Sequence, residues 1–289
     1  MATTLLWRNF DAQAGDFCMS IEAMPLYVDI ERIDNEIREL GRDEDGPLEP
    51  AELFPFDQIH YQGTDAVERA IRLLGLDTVS RVLEIGSGVG GPARYLAHTV
   101  GCRVTALELQ DRLHAISARL TARCGLGDRV THLRGDALTY PLPETAFDAV
   151  VSWLAIHHMP ERPRVLARLA RTLRPGGRIY IEDLSERAPF TASDLPDVTR
   201  TIFGVTLTSA DEYVRDLRDA GFVDVAATDM TSDWQAFAVA RARAWRDARD
   251  RHVRVHGQAT YGRLERFFFT VAHLFESGSL GGLGLIGRT

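Results

Sequence analysis

Two carboxylates and a glycine turn define the chemistry open to this sequence. In RVLEIGSGVGGPARYLAHTVGCRVTALEL, from Arg81 to Leu109, an apolar run carrying Glu84 leads into Gly86, and glycines recur at 88, 90 and 91. A helix-compatible run follows, and a second apolar run closes on Glu108. Glycine in such a turn permits φ > 0 and lets a ligand approach the main chain without meeting a Cβ. Glu84, just ahead of the turn, would lie near a cationic or amino group of that ligand. Glu108 can accept hydrogen bonds from two vicinal hydroxyls, as on a ribose. Gly86, Gly88 and Gly91 also satisfy G-x-G-x-x-G, the dinucleotide fingerprint, in which an acidic residue placed like Glu108 takes the ribose. The turn alone leaves the choice of cofactor open.

Two details favour one choice: Glu84 sits inside the strand just before the first glycine, and Gly135-Asp136 follows the next apolar run. Here the chain resembles the class I S-adenosylmethionine (SAM)-dependent methyltransferases, whose first motif is acidic-apolar-Gly-x-Gly-x-Gly. Glu84-Ile85-Gly86-Ser87-Gly88-Val89-Gly90 matches it, and the resemblance extends from about Val82 to Leu184. It implies that SAM is held by Glu84, by Gly86, Ser87, Gly88 and Gly90 of the turn, and by Glu108 with Leu109. It further implies Asp136 on the adenine amino group, Ala137 offering backbone beside it, and a contact from Ser152. A helix cap is the alternative role for Asp136, and an arginine partner the alternative for Glu84.

In this family the acceptor meets the cofactor after the fourth core strand, here Ser152-Trp153-Leu154-Ala155-Ile156-His157-His158. Phosphoethanolamine, sarcosine and dimethylglycine N-methyltransferases carry a histidine where His158 stands. In the phosphobase enzymes it works with a tyrosine from the N-terminal segment, for which Tyr61 or His60 is the local candidate. The resemblance therefore implies His158 and Tyr61 as catalytic residues and His60, Trp153 and His157 as acceptor contacts. Adjacent histidines cannot share one helical or strand face, so a single one, His158, is expected to face the pocket. A capping or packing role is the alternative for each.

The elements that must position these residues follow from periodicity. YVDIERIDNEIREL at 27–40 places Ile30, Ile33, Ile37 and Leu40 at steps of three and four, which predicts an amphipathic helix. The aromatic stretch 53–63 is too mixed for a core strand, and Thr64 is a candidate cap for a helix over 65–74. Strands are predicted at 81–85, 103–109, 130–134, 147–152 and 178–183, with helices from about Pro92, at 111–124 and at 161–173. Pro175-Gly176-Gly177 punctuates the last helix and strand. Such alternation means a doubly wound α/β fold with its ligand at the carboxyl ends of parallel strands. Beyond it come a helix at 209–220, a strand at 222–228, helices at 233–256 and 260–277, and a glycine-rich strand at 280–288. The resemblance implies a mostly parallel, Rossmann-like seven-stranded sheet ending in an antiparallel hairpin. It divides the chain into an N-terminal helical lid segment (1–63), a SAM-binding core (64–232), a helical cap inserted in the hairpin (233–277) and a final core strand (278–289).

The 289 residues are 45% apolar and 26% charged, ordinary for a globular protein. A net charge of −8 argues against general nucleic-acid binding, which needs a basic surface, and favours a small-molecule acceptor. No apolar run approaches the roughly 20 residues that span a bilayer, and the N-terminus lacks a basic leader, so a cytoplasmic protein without a membrane partner is expected. Oligomeric state is left open. Cys18, Cys102 and Cys124 show neither disulfide nor metal spacing and are read as small buried apolar residues; no metal is expected. The arginine-rich stretch 241–254 interleaves aspartates at helical spacing and is read as a solvated helix face rather than an anion site. The chain contains no lysine, which excludes every lysine-based hydride mechanism and weakens the NAD-dependent oxidoreductase reading. The leading reading is methyl transfer from SAM, releasing S-adenosylhomocysteine (SAH), to an amine or amino-acid-like nitrogen. The aromatic N-terminal segment and LFESGSLGGLGLIG near the end resemble the sarcosine and dimethylglycine group. Methylation of a thioether such as methionine, or of a hydroxyl or carbon, is the alternative, and a non-catalytic SAM-binding module is a third.

Overall fold

The computed structural model describes Met24 and residues 27–289 apart from Val205. Its centre is a seven-stranded sheet in the order β3-β2-β1-β4-β5-β7-β6. Strands β1 (Arg81–Ile85), β2 (Arg103–Glu108), β3 (Val130–Arg134), β4 (Phe147–Trp153) and β5 (Leu173–Glu186) pair in parallel. Strand β7 (Leu280–Arg288) lies antiparallel between β5 and β6 (Val223–Asp229). This is the class I methyltransferase arrangement that the sequence implied.

The parallel strands are near-continuous apolar runs because both sheet faces are covered. Side chains alternate across the sheet. Leu83, Val150 and Ile179 face α6 (Arg162–Thr172) and α8 (Ala210–Asp219), which contribute Leu166, Leu169, Tyr213 and Leu217. Val82, Val104 and Val151 face α3 (Thr64–Leu74) and α4 (Gly91–Thr99), which contribute Ala66, Ala70 and Leu96. Each fully buried aliphatic side chain contributes about 1.5–3 kcal/mol relative to exposure. The strand order reverses at β1, which has β2 on one side and β4 on the other. A crevice therefore opens between the ends of β1 and β4.

Several boundaries differ from expectation for identifiable reasons. The N-terminal helix, α1 (Arg32–Glu39), starts later than residue 27, after a turn, and Leu40 is exposed as its C-cap, although Ile30, Ile33 and Ile37 are buried as expected. The mixed aromatic stretch contributes a helix, α2 (Pro50–Asp57), started by Pro50 and a Glu49/Glu52 capping box. It packs between α1 and α4, so its apolar residues do not form a single stripe. Gly63, at φ 53°, is the N-cap of α3 in place of Thr64. Pro175-Gly176-Gly177 lies inside β5, as an interruption of its pairing with β4. The short α7 (Leu195–Arg200) carried no periodic signal. Helix α5 spans Asp111–Arg123.

The helices between β6 and β7 are α9 (Thr231–Asp247), α10 (Arg249–His256) and α11 (Gln258–Glu276), so the single long helix expected at 233–256 is broken at Ala248. They carry a separate apolar cluster around Trp234, Phe268 and Phe275. The arginine-rich face is exposed as expected at Arg243, Arg246, Arg249, Arg251 and Arg254, with Arg251 and Arg254 pairing with Glu36 and Glu39 of α1, whereas Arg241 turns inward to the cavity; beyond this stretch Arg263 pairs with Asp29. Cys102 is buried as expected, Cys124 is half-buried, and Cys18 lies outside the described residues. No helix among the described residues is long and apolar enough to cross a membrane.

Candidate active site

The turn after β1 is held against β2 by Gly86 N–H and Ser87 N–H, which donate to the Leu107 carbonyl at 2.9 and 3.1 Å. Gly86, Gly88 and Gly90 adopt φ of 67°, 54° and 77°, where glycine alone is unstrained. The space around them is not equivalent. A Cβ at Gly90 would lie 2.4 Å from Ser117 Oγ, so packing inside the protein by itself demands this glycine. A Cβ at Gly88 would lie 2.8 Å from Ile59 Cδ1, which shows the N-terminal segment draped over the turn.

Glu84 shares a sheet face with Val82 and is buried beside α4. Burial raises its carboxyl to about 8 against the opposing pull of Arg94. Its Oε2 has no hydrogen-bond partner, and neither has the buried Ser87 Oγ next to it. Buried polar atoms are almost always satisfied, so two orphans flanking a glycine turn fit a polar ligand there. Glu108 accepts from Gly88 N–H and Gln110 N–H, both at 2.8 Å, one on each oxygen. Burial raises this carboxyl to about 6. Each oxygen keeps acceptor capacity for a ligand hydroxyl.

Other expected cofactor residues sit differently. The Ser152 hydroxyl is fully buried and donates to the Ile85 carbonyl at 3.0 Å, tying β4 to β1. Asp136 is exposed and caps its own turn, with Oδ1 accepting from Leu138 N–H at 2.8 Å. Ala137 is buried in the core, its carbonyl accepting from Arg168 Nε at 3.2 Å. Leu109 is half-buried just past β2.

Alongside the turn lies a cavity of about 800 Å³. The connection after β4 contributes Leu154, His157 and His158, the N-terminal segment Phe54, Phe56, His60 and Tyr61, α9 Phe237, Arg241 and Trp245, and α11 Leu264, Phe267 and Phe268. Both histidines line it. They stand on a 3₁₀ turn, Ile156–His158, where side-chain directions follow neither the helix nor the strand period, and their rings contact with centroids 3.9 Å apart. The expectation that a single one faces the pocket is thereby corrected.

Their environments differ. His157 Nδ1–H donates to Asp183 Oδ1 at 2.5 Å, and Asp183, at the end of β5, also accepts from Tyr213 OH at 2.9 Å. His158 Nδ1–H donates to the Phe203 carbonyl at 2.8 Å. A carbonyl can only accept, so neutral His158 carries its proton on Nδ1 and keeps Nε2 as a proton acceptor. Burial, reinforced by His157, holds its pKa well below 6.5.

His60 and Tyr61 line the cavity but are not free groups. His60 has Tyr61 O at 3.0 Å from Nδ1 and Gln58 Oε1 at 3.1 Å from Nε2, and burial lowers its pKa to about 4. The Tyr61 ring packs against Trp234, Phe237 and Phe275, and burial raises its hydroxyl pKa. Trp153 stacks on His60 from within the core and is not part of the cavity lining.

Three residues escaped the sequence reading. Asp183 could have been noticed as an acid at the carboxyl end of a core strand. Tyr27 lines the cavity, and its hydroxyl pKa is raised by burial and by the Glu108 carboxylate, which places it where turn and cavity meet. Arg241 was masked by its arginine-rich surroundings. Among the described residues, Glu36, His252 and His256 bring possible metal ligands within 4.8 Å of one another. The Arg251 guanidinium, bidentate on Glu36, opposes a cation there.

A methyltransferase-domain family model matches residues 83–181. The sarcosine/dimethylglycine N-methyltransferase of Halorhodospira halochloris is 32% identical over 215 residues, 73% of this chain and 74% of its own. The 27-O-demethylrifamycin SV methyltransferase of Amycolatopsis mediterranei is 30% identical over 212 residues, 71% of this chain and 78% of its own. Among solved structures, phosphoethanolamine N-methyltransferase 2 of Haemonchus contortus in complex with SAM superposes with a TM-score of 0.80 at 19% identity. That match covers 94% of this chain but 60% of the other, and it bears on the fold. The dinucleotide reading is set aside: this chain belongs to the class I SAM-dependent methyltransferases, and its cofactor is SAM.

Proposed function

We propose that the protein transfers the SAM methyl group to a nitrogen or hydroxyl of a small-molecule acceptor in the cavity, with His158 receiving the acceptor's proton. The observation that carries this is the histidine pair on the cavity wall, each Nδ1 committed to a fixed acceptor and each Nε2 therefore able to take a proton. The sarcosine/dimethylglycine relative supports nitrogen, and the 27-O-demethylrifamycin relative supports a hydroxyl. A thioether has no proton to give up and would leave this arrangement without a task.

SAM, when bound, supplies a methyl group already activated by its sulfonium. The chain's own work is to hold, align and keep dry. Glu84, with an unpartnered oxygen, would take the cofactor's amino group, whose charge favours the ionised carboxylate that burial disfavours. Ser87 and the turn around Gly88 would sit against the cofactor, and Glu108 would accept from its ribose. Asp183 orients His157 and would steady positive charge on the pair once His158 is protonated. Of the N-terminal segment 1–63 the described part, Met24 and residues 27–63, serves in this reading with 233–277 as the two covers over the core of 64–232 and the final strand of 278–289; the rest of that segment lies outside the described residues.

Glu108→Ala is expected to weaken SAM binding by about 1–3 kcal/mol, the loss for charge-assisted hydrogen bonds. Calorimetry reads this, and an unchanged Kd would move the ribose site elsewhere. The function itself is tested by SAH release from SAM over a panel of amine and hydroxyl acceptors. Turnover with at least one such acceptor is expected. SAM binding without SAH release from any of them would overturn the reading.

A further inference from the structure

The cavity is larger and less polar than an amino-acid-sized acceptor requires. At about 800 Å³ it falls in the upper part of the roughly 300–1,000 Å³ range of pockets that enclose drug-sized ligands. Phe54, Phe56, Phe237, Phe267, Phe268 and Trp245 form much of its wall. A zwitterion of a few atoms would leave this aromatic surface wet.

The charges in the wall are unevenly satisfied. Asp29 is held by Arg263 and Thr260, and Glu36 by Arg251 and His256. Asp65, the remaining lining carboxylate, is exposed on the first turn of α3. Arg32 and Arg241 are different: neither makes a salt bridge with a described carboxylate, and burial and the neighbouring Arg241 together lower the pKa of Arg32 against the opposing pull of Glu36 and Asp29, which are already paired elsewhere. The Arg241 guanidinium lies 4.6–5.3 Å from the ring centres of Phe268, Tyr61 and Phe237 and also interacts with the Tyr61 hydroxyl, while its Nε–H has no partner. A buried guanidinium enclosed by rings with an unanswered donor is suited to an oxyanion.

Taking the cavity as the acceptor site, as proposed above, we infer that the acceptor is an amphipathic oxyanion: a bulky apolar body against the phenylalanine wall, with a carboxylate or similar group on Arg241 beside Arg32. The methyl-accepting nitrogen or hydroxyl then lies on the same body, toward His158. Electrostatics and the apolar wall thus select together, since a neutral analogue leaves both cations without a salt-bridged carboxylate and a small anion leaves the aromatic wall uncovered.

Calorimetric titration of the SAH-loaded protein with 6-hydroxy-2-naphthoate, its methyl ester and sarcosine tests this. The acid should bind about tenfold or more tightly than either comparison. Arg241→Gln should erase the preference of acid over ester while leaving the affinity for SAH unchanged, and Arg32→Gln should reduce it. Should the first variant fail to bind SAH, the second carries the comparison. Equal binding of acid and ester by the wild type, a preference surviving both substitutions, no binding of the acid to SAH-loaded protein, or tighter binding of sarcosine would each overturn the inference. Failure of the methyl-transfer reading looks different: the acid would bind with its predicted preference, yet no acceptor would release SAH from SAM.

Discussion

Asp57→Ala is expected to lower the free energy of unfolding by about 3–5 kcal/mol, the cost of leaving a buried charge without its partner. Asp57 closes α2, and its Oδ2 accepts from Arg94 Nη2 at 2.9 Å, with both side chains fully buried. The remaining contacts of Arg94 cannot substitute. Ser117 O and Thr121 Oγ1 lie 3.4 and 3.3 Å from Nη1, and Nε has no partner. Replacing both residues together, Asp57→Leu with Arg94→Met, should recover most of the loss, because the desolvation of the cation disappears with the cation. Urea unfolding measures both variants. A loss under about 1 kcal/mol for the single substitution would mean that water reaches Arg94. The pair also pins the N-terminal segment to the cofactor turn, since a Cβ at Gly91 would lie 2.3 Å from the Asp57 carbonyl.

His158→Asn should lower kcat by about 10² or more and leave SAM affinity nearly unchanged, as expected for a proton acceptor acting in the transition state. The base must be neutral to work. Its pKa lies below 6.5, so the wild-type rate should be level at neutral pH and fall as pH drops through that lowered value. The variant should lack this limb. His157→Asn should be milder in kcat, but it removes one of the causes that depress His158, so the acidic limb should move upward toward 6.5. A dominant kcat loss from His157→Asn would instead make the Asp183-backed ring the base. A wild-type profile without an acidic limb would point to an acceptor with no proton to lose.

What could be read from the chain was set by whether the physics is local. Strand, turn and helix from Arg81 onward follow from apolar runs and glycines within a few residues of each other, and Glu84 and Glu108 were legible for that reason. The partnership of His157 with Asp183 was not, because 26 residues separate them and they meet through the pairing of β4 with β5. Arg241 was misjudged by its neighbours in sequence. Its surroundings in space are rings from α9, α11 and the segment after α2. For Asp136 a motif match and a capping role compete over one side chain: Oδ1 accepts from Leu138 N–H within a turn that no helix follows, and the carboxylate is exposed.

The ion pairs that join α1 to the late helices also impose an order of assembly on the newborn chain. All five parallel strands, both carboxylates of the turn and the histidine pair exist once Glu186 has been made. By contrast Arg251 and Arg254 meet Glu36 and Glu39 across 215 positions, and Arg263 meets Asp29 across 234. Such distant contacts form late. A chain leaving the ribosome would therefore own a cofactor crevice, and the apolar cluster of Ile33, Ile37 and Leu53 with Val89, Leu113 and Leu120, well before it owns an acceptor chamber.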